Sequence, residues 1–168
     1  MAEPDDAATQ ARNRALSSPL RMRILRFCLY EARSNRDIAR EFDLNPGTSL
    51  HHVRTLVDTG FLAAEEPRTG ARGATEIPYL ATRKSWSTHV PNISSVLIQT
   101  FLQEIEGVDP EDIRIARLGL MLNETSEREL RERFDGVLAE FIAREPDADG
   151  RPISLMVVSH PEVRKPIT

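Results

Sequence analysis

One stretch of the chain combines a helical apolar stripe with side chains that could read nucleic acid. Between Asn45 and Gly60, apolar residues recur at three- and four-residue spacing, which predicts a helix with one buried face: Leu50, Val53, Leu56 and Val57. The side chains off this stripe carry hydroxyl and imidazole groups, with almost no acid: Thr48, Ser49, His51, His52 and Thr55. Such groups suit the mixed donors and acceptors of base edges in the DNA major groove. An ordinary amphipathic helix has the same pattern. The neighbouring elements must therefore distinguish a helix that reads DNA from an ordinary one.

Cap residues predict where this helix and its neighbours begin. Asn45 can cap the helix, Pro46 suits its first position, and Gly60 suits its end. Upstream, Ser34 and Asp37 resemble a capping box before a short helix. An earlier helix starts near Ser17 or Ser18 with an apolar face that includes Leu20, Ile24, Phe27 and Cys28. Two short helices joined by a few residues predict a helix-turn-helix, in which the second helix reads DNA.

A β-hairpin is predicted immediately after the reading helix. Residues 61–66 and 75–81 have strand character, and the turn-rich residues 67–74 separate them. Arg68 and Arg72 stand in this turn, where Gly70 and Gly73 allow a close approach of the backbone to a ligand. Basic glycine-rich turns also occur as plain solvated loops.

Together these pieces resemble the winged helix-turn-helix of ArsR-type bacterial transcriptional regulators. Three segments carry the resemblance, which covers about residues 14–84: residues 16–25, 35–44 and 49–62. The resemblance implies a dimer that reads operator DNA with the helix at residues 45–60, while the hairpin acts as a wing. Metal-sensing members carry paired cysteines or clusters of histidine and carboxylate, which this sequence lacks. We therefore expect no metal site.

Composition and charge set the class of protein. The single Cys28 allows no internal disulfide, and no run of 18 apolar residues could span a membrane. The first residues show no secretory leader, so we expect a cytoplasmic protein. Residues 12–84 carry a net charge of +5, whereas residues 85–168 carry −6. A basic front half fits a partner that is a polyanion, although the whole chain is acidic.

The segments on either side of the predicted helix-turn-helix domain have sequence patterns that predict their structure. Residues 1–11 are acidic and aperiodic, which predicts a disordered tail. Residues 85–107 have a broad apolar stripe and are predicted to form a long dimerisation helix, although Pro91 could delay its start. Residues 108–168 suggest a small β-α-β appendage, with strands at 115–122 and 153–160 around a helix that opens at Thr125 or Ser126. The appendage could extend the dimer core or hold a small-molecule effector.

The sequence therefore predicts an α+β protein: a winged helix-turn-helix domain at residues 12–84, a dimerisation helix and a β-α-β region. The predicted function is a homodimeric, sequence-specific repressor that binds double-stranded operator DNA. No nucleophile with a base, phosphate loop or metal motif indicates an enzyme, and no cofactor is expected. The alternative is a winged-helix module that binds an acidic protein. The predicted DNA contacts are Thr48, Ser49, His51 and His52 to bases; Pro46, Gly47, Arg54 and Thr55 at the helix start and phosphates; and Arg68 and Arg72 from the wing.

Overall fold

The computed structural model describes residues 4–70 and 73–162, which divide into two compact units between Asp112 and Ile113. The described residues of the first unit form five α-helices and five short strands. Its elements in chain order are α1 (Pro4–Leu16), α2 (Pro19–Phe27), β1 (Arg33–Ser34), α3 (Asn35–Glu41), α4 (Pro46–Asp58), β2 (Leu62–Ala64), β3 (Arg68–Thr69), β4 (Thr75–Glu76), β5 (Pro78–Ala81) and α5 (Ser94–Ile105). The second unit contains one long helix, α6 (Glu124–Ala143).

Helix α1 replaces most of the predicted disordered tail. The prediction for residues 1–11 is wrong from Pro4 onward, because α1 begins there. Alanine has the highest helix propensity, and four alanines stand in this helix: Ala7, Ala8, Ala11 and Ala15. Arg21 holds the end of α1, since its Nε donates to Ala15 O at 2.6 Å and its Nη2 donates to Arg14 O at 2.5 Å.

Helices α2, α3 and α4 form the predicted helix-turn-helix core, and the predicted caps of α3 and α4 are confirmed. Ser18 caps α2 and Asn45 caps α4, each through its side-chain oxygen. Ser34 and Asp37 form a capping box at α3, in which Ser34 N donates to Asp37 Oδ2 at 3.1 Å and Asp37 N donates to Ser34 Oγ at 3.2 Å. The connection from α3 to α4 is only four residues long, which places the two helices side by side.

The described strands form two small antiparallel sheets. One has the strand order β1-β5-β2, and its register pairs Arg33 with Tyr79 and Ala63 with Leu80. The other is the hairpin β3–β4, which pairs Arg68 with Glu76. The two predicted strands contain β2 and β5, which pair with each other as predicted. Strand β3 lies within the predicted turn and pairs with β4, which extends the structure by a short hairpin. We call the hairpin and its connecting residues the wing.

A single core lies between the helices and the larger sheet of the first unit. Its buried residues include members of α1, α2, α3 and α4 together with the start of β2: Ala15, Leu16, Ile24, Leu25, Cys28, Ile38, Val53, Leu56, Phe61, Leu62 and Val90. Cys28 is the predicted core cysteine, and burial raises the pKa of its thiol to about 12. The core therefore holds the back of α4 against the remainder of the unit.

Helix α5 packs against α2 within the first unit and begins at Ser94, nine residues later than predicted. Pro91 lies before it, consistent with the effect of proline on helix starts. Arg26 Nε on α2 pairs with Glu104 Oε1 on α5 at 3.0 Å. Leu97, Ile98 and Leu102 remain exposed on the same helix.

The second unit contains the predicted helix without the predicted strands. Helix α6 is capped by Asn123, whose Oδ1 accepts from Ser126 N at 2.9 Å. Residues 113–123 and 151–162 form no strands, so the β-α-β prediction is wrong for the single chain. A strand needs a neighbour for its N–H and C=O groups. Within the described residues, no backbone hydrogen bond joins these two segments. Nor do the described residues include a helix that is long and apolar enough to cross a bilayer.

Candidate nucleic-acid interface

The exposed side of α4 presents a row of polar side chains. Pro46, Gly47 and Thr48 are exposed in the first turn, followed by His51 and Arg54 one and two turns later. We call these five residues the α4 face. No acidic residue occurs in α4 before Asp58 at its end. A helix N-terminus and a guanidinium group both favour phosphate, while the hydroxyl and imidazole can bond to base edges.

Ser49 lies on the opposite side of α4, so its predicted contact with bases is wrong. The residue is 0% exposed, and its Oγ donates to Asn35 O of α3 at 3.3 Å. The buried stripe of α4 is Ser49, Val53 and Leu56, whereas the predicted stripe member Leu50 is only partly buried. The stripe is rotated because α3 lies close to the start of α4, where a small side chain fits. Asn35 also donates from Nδ2 to Pro46 O at 3.1 Å.

His52 and Thr55 lie at the edge of the α4 face and are half-buried. Burial, followed by the nearby charges of Arg21 and His51, lowers the pKa of His52, so its imidazole is neutral near pH 7. Its ring lies 5.7 Å from that of His51. Thr55 Oγ1 donates to His51 O at 2.9 Å, which leaves the hydroxyl able to accept from a ligand.

Two arginines on α3 extend the basic surface beside α4, and the sequence reasoning missed them. The side chains of Arg36 and Arg40 are 64% and 79% exposed. They line a shallow groove between α3 and the start of α4, together with Asp43 and Pro46. Their i, i+4 spacing on the helix before α4 is a signal in the sequence that could have found them.

The wing is joined to α3 by two ion pairs. Arg68 Nη2 of β3 lies 3.6 Å from Asp37 Oδ2, and Arg36 Nη1 lies 3.8 Å from Glu76 Oε1 of β4. Arg68 remains half-exposed, but it faces an acid of the protein. Arg72, the other predicted wing contact, lies outside the described residues.

Gly70, which follows β3 beside the wing turn, leaves room for the side chain of Glu76. A Cβ at Gly70 would lie 2.3 Å from the Glu76 side chain, so a larger residue would displace it. Gly70 N donates to Ala74 O at 2.7 Å, which closes the turn. The glycine therefore lets Glu76 reach Arg36.

Asp37 connects the α3 cap with the wing, and we expect Asp37→Asn to destabilise the first unit. Burial opposes ionisation of Asp37. The hydrogen bonds from Ser34 and the charges of Arg40 and Arg68 outweigh it, and they lower the pKa of the carboxyl. The resulting stability is present above the unfolded-state pKa of about 3.9 and is lost as the pH falls through the lower folded-state pKa. Urea unfolding at pH 7 should show a loss of about 1 kcal/mol.

The matched control for this prediction is Asp112→Asn, at an exposed position. It should change the free energy of unfolding by less than about 0.5 kcal/mol. The difference between wild type and Asp37→Asn should shrink towards pH 3. A difference that stays constant between pH 7 and pH 3 would contradict the assigned role of the carboxylate.

Comparison with known proteins agrees with this architecture in the front of the chain. Residues 16–64 match a family described as a helix-turn-helix domain. The first unit is a winged helix-turn-helix module. No curated protein matches the chain. Among solved structures, "Crystal Structure of MarR" is 20% identical with a TM-score of 0.38, and the match covers 75% of this chain and 79% of that one.

Two further solved structures are similar over comparable lengths. A MarR transcriptional regulator from Methanosarcina mazei Go1 is 12% identical, with a TM-score of 0.35 and coverage of 76% of this chain and 75% of that one. The transcriptional regulator SlyA is 16% identical, with a TM-score of 0.32 and coverage of 70% and 75%. The winged helix-turn-helix assignment itself rests on the helices, caps and hairpin described above.

Proposed function

We propose that this protein is a sequence-specific, DNA-binding transcriptional regulator that works as a homodimer. The observation that carries the proposal is the α4 face: an exposed, acid-free row on the second helix of a helix-turn-helix, beside the exposed arginines of α3. In this arrangement the second helix enters the major groove and the first crosses the backbone. Thr48 and His51 are then the residues for bases, and Arg54, Arg36 and Arg40 are the residues for phosphates.

The homodimer is proposed from the exposed apolar side chains of α5. Ile98 and Leu102 are one helical turn apart and are both exposed, while the other side of α5 packs on α2. Burial of such a row in a symmetric contact would present two α4 faces to one operator. We extend the proposal to a cytoplasmic repressor of the ArsR type without a metal-sensing site, on account of the sequence resemblance and the missing ligand clusters in the sequence. A small-molecule effector of residues 108–168 stays a prediction.

Selection of bound duplexes from a random pool, with the purified full chain, tests the proposed function. We expect enrichment of a two-fold symmetric site, with half-site centres about 34 Å apart or a near multiple of that spacing. No enrichment, with capture of an acidic protein instead, would favour the interaction module over the regulator.

The same selection with two neighbouring variants tests the orientation of α4. Thr48→Ala should alter base preference at one position of each half-site, because Thr48 is exposed. Ser49→Ala should leave the selected sequence unchanged, because Ser49 is buried against α3. The reverse result would mean that the α4 face is wrongly assigned.

A further inference from the structure

The second unit leaves a large amount of apolar side chain exposed. Thirteen large apolar residues are exposed in residues 113–162: Ile115, Leu118, Leu120, Met121, Leu122, Phe134, Val137, Phe141, Ile142, Ile153, Leu155, Val157 and Val158. Met121 is 90% exposed and Ile115 is 80% exposed. Single exposed apolar residues are common on protein surfaces, whereas this many large ones in one small unit are typical of an interaction site.

The apolar side chains of α6 form a stripe, and ion pairs occupy the remaining surface of the helix. Phe134, Val137, Phe141 and Ile142 recur at three- and four-residue spacing with Leu130 and Leu138. Three exposed pairs at i, i+4 spacing occupy other positions: Arg128–Glu132, Arg131–Glu127 and Arg133–Glu129, at 4.0, 2.7 and 2.6 Å. A helix with this division has one face for solvent and one face for a partner surface.

The segments on either side of α6 have sequences that suit covered strands. Residues 116–122 alternate apolar and other residues through Leu118, Leu120 and Leu122, and residues 153–158 are almost continuously apolar. In the single chain neither segment forms a strand. A segment that is rich in Ile, Leu and Val and belongs to no sheet of its own chain can pair as a strand with another chain.

We propose that the same unit of a second copy covers this apolar surface, and that residues 113–122 and 151–158 pair as strands between the two copies. If each of the thirteen side chains contributes about 60 Å² of apolar surface, the set amounts to roughly 800 Å². One partner of a standard protein–protein interface buries about this area. The surface is therefore large enough for a stable dimer.

The charge of the unit supports a second copy over a highly charged partner. Residues 113–162 contain seven arginines and ten acidic residues, a net charge of −3 with both signs interspersed. Such a surface creates no strong field of one sign. A two-fold contact places the same patch on both sides, so an apolar stripe meets an apolar stripe. The choice of occupant rests on the proposed homodimer, but the contact itself is separate from α5 and from the α4 face.

Hydrogen exchange of the full chain, followed by mass spectrometry, tests the pairing directly. Backbone amides without a partner exchange near the unfolded rate, whereas paired amides are protected. At a concentration where sedimentation shows a dimer, residues 113–122 and 151–158 should exchange at least 100-fold more slowly than the unpaired rate. Exchange of both segments at the unpaired rate in that dimer would overturn the proposal, as would equal protection in a monomer or a chain that sediments only as a monomer.

A matched pair of proline variants adds a second readout. Val157→Pro removes an N–H from the proposed ladder and should raise the dimer dissociation constant at least 100-fold. Ala148→Pro is the control, because Ala148 is the second residue of the turn closed by Gly150 N and Asp147 O at 2.9 Å, where proline is tolerated. It should change the constant less than threefold. Equal constants for the two variants would overturn the pairing. Far-UV circular dichroism of the full chain, to which α6 contributes, reports whether each variant remains folded.

These outcomes distinguish a failure of the proposed interface from a failure of the proposed function. Enrichment of a symmetric DNA site without protection of the two segments would keep the proposed function and reject the paired strands. Protection of the segments without DNA enrichment would keep the paired strands and reject the proposed function.

Discussion

Arg54→Glu should weaken binding of the selected operator duplex at least 100-fold. Arg54 is exposed on the α4 face, and the substitution replaces an attraction to phosphate with a repulsion at the centre of the interface. Like charges placed against each other across an interface cost several kcal/mol. A fluorescence-anisotropy titration of labelled duplex at fixed ionic strength measures the change.

Arg128→Glu is the matched control for Arg54→Glu. It makes the same change in net charge at an exposed residue of α6 in the second unit. Affinity for the duplex should stay within about threefold, because exposed ion pairs such as Arg128–Glu132 contribute little. An equal loss of affinity in both variants would show that net charge controls binding, and the assignment of the α4 face would then be wrong.

Phe61→Ala should cause the largest loss of stability in the first unit. Phe61 is 1% exposed and lies between α4 and β2. Its N–H donates to Leu56 O at 2.8 Å, and its carbonyl accepts from Thr82 N at 3.0 Å. Removal of a buried aromatic ring costs about 3–5 kcal/mol. Urea unfolding followed by circular dichroism and Trp86 fluorescence, at fixed protein concentration, should show this loss.

Tyr30→Ala is the control for Phe61→Ala, since Tyr30 is an exposed aromatic residue of the same unit. The substitution removes a contact with the Arg83 guanidinium, which lies 6.0 Å from the ring centroid. Such a contact contributes about 1 kcal/mol or less at an exposed site. If Tyr30→Ala destabilised the unit as much as Phe61→Ala, the core described here would not be what holds α4 in place.

Local signals in the sequence were sufficient to predict the helix-turn-helix. Ser34 and Asn45 cap the helices as predicted, because a cap bonds to the backbone two or three residues away. The alanines of the N-terminal helix are a local signal of the same kind, because alanine has the highest helix propensity.

Features that depend on distant parts of the chain were not predictable from spacing alone. Ser49 is buried because α3 lies against the start of α4, and the polarity of serine gave no sign of that contact. The pairing of Arg68 with Asp37 joins residues 31 positions apart. In the second unit, alternation indicated strands, but a strand also needs a neighbour, and residues 113–122 and 151–162 do not supply it to each other.

The two ion pairs between the wing and α3 make the position of the wing sensitive to the electrolyte concentration. Arg68–Asp37 and Arg36–Glu76 involve exposed arginines, so added electrolyte screens them. A wing released from α3 must be ordered again on the duplex, which lowers affinity. Added electrolyte also reduces the gain from counterion release at the phosphates, so the affinity for DNA falls for this reason too. The slope of affinity against electrolyte concentration should therefore exceed what the phosphates in contact account for, and the excess should come from ion pairs within the protein.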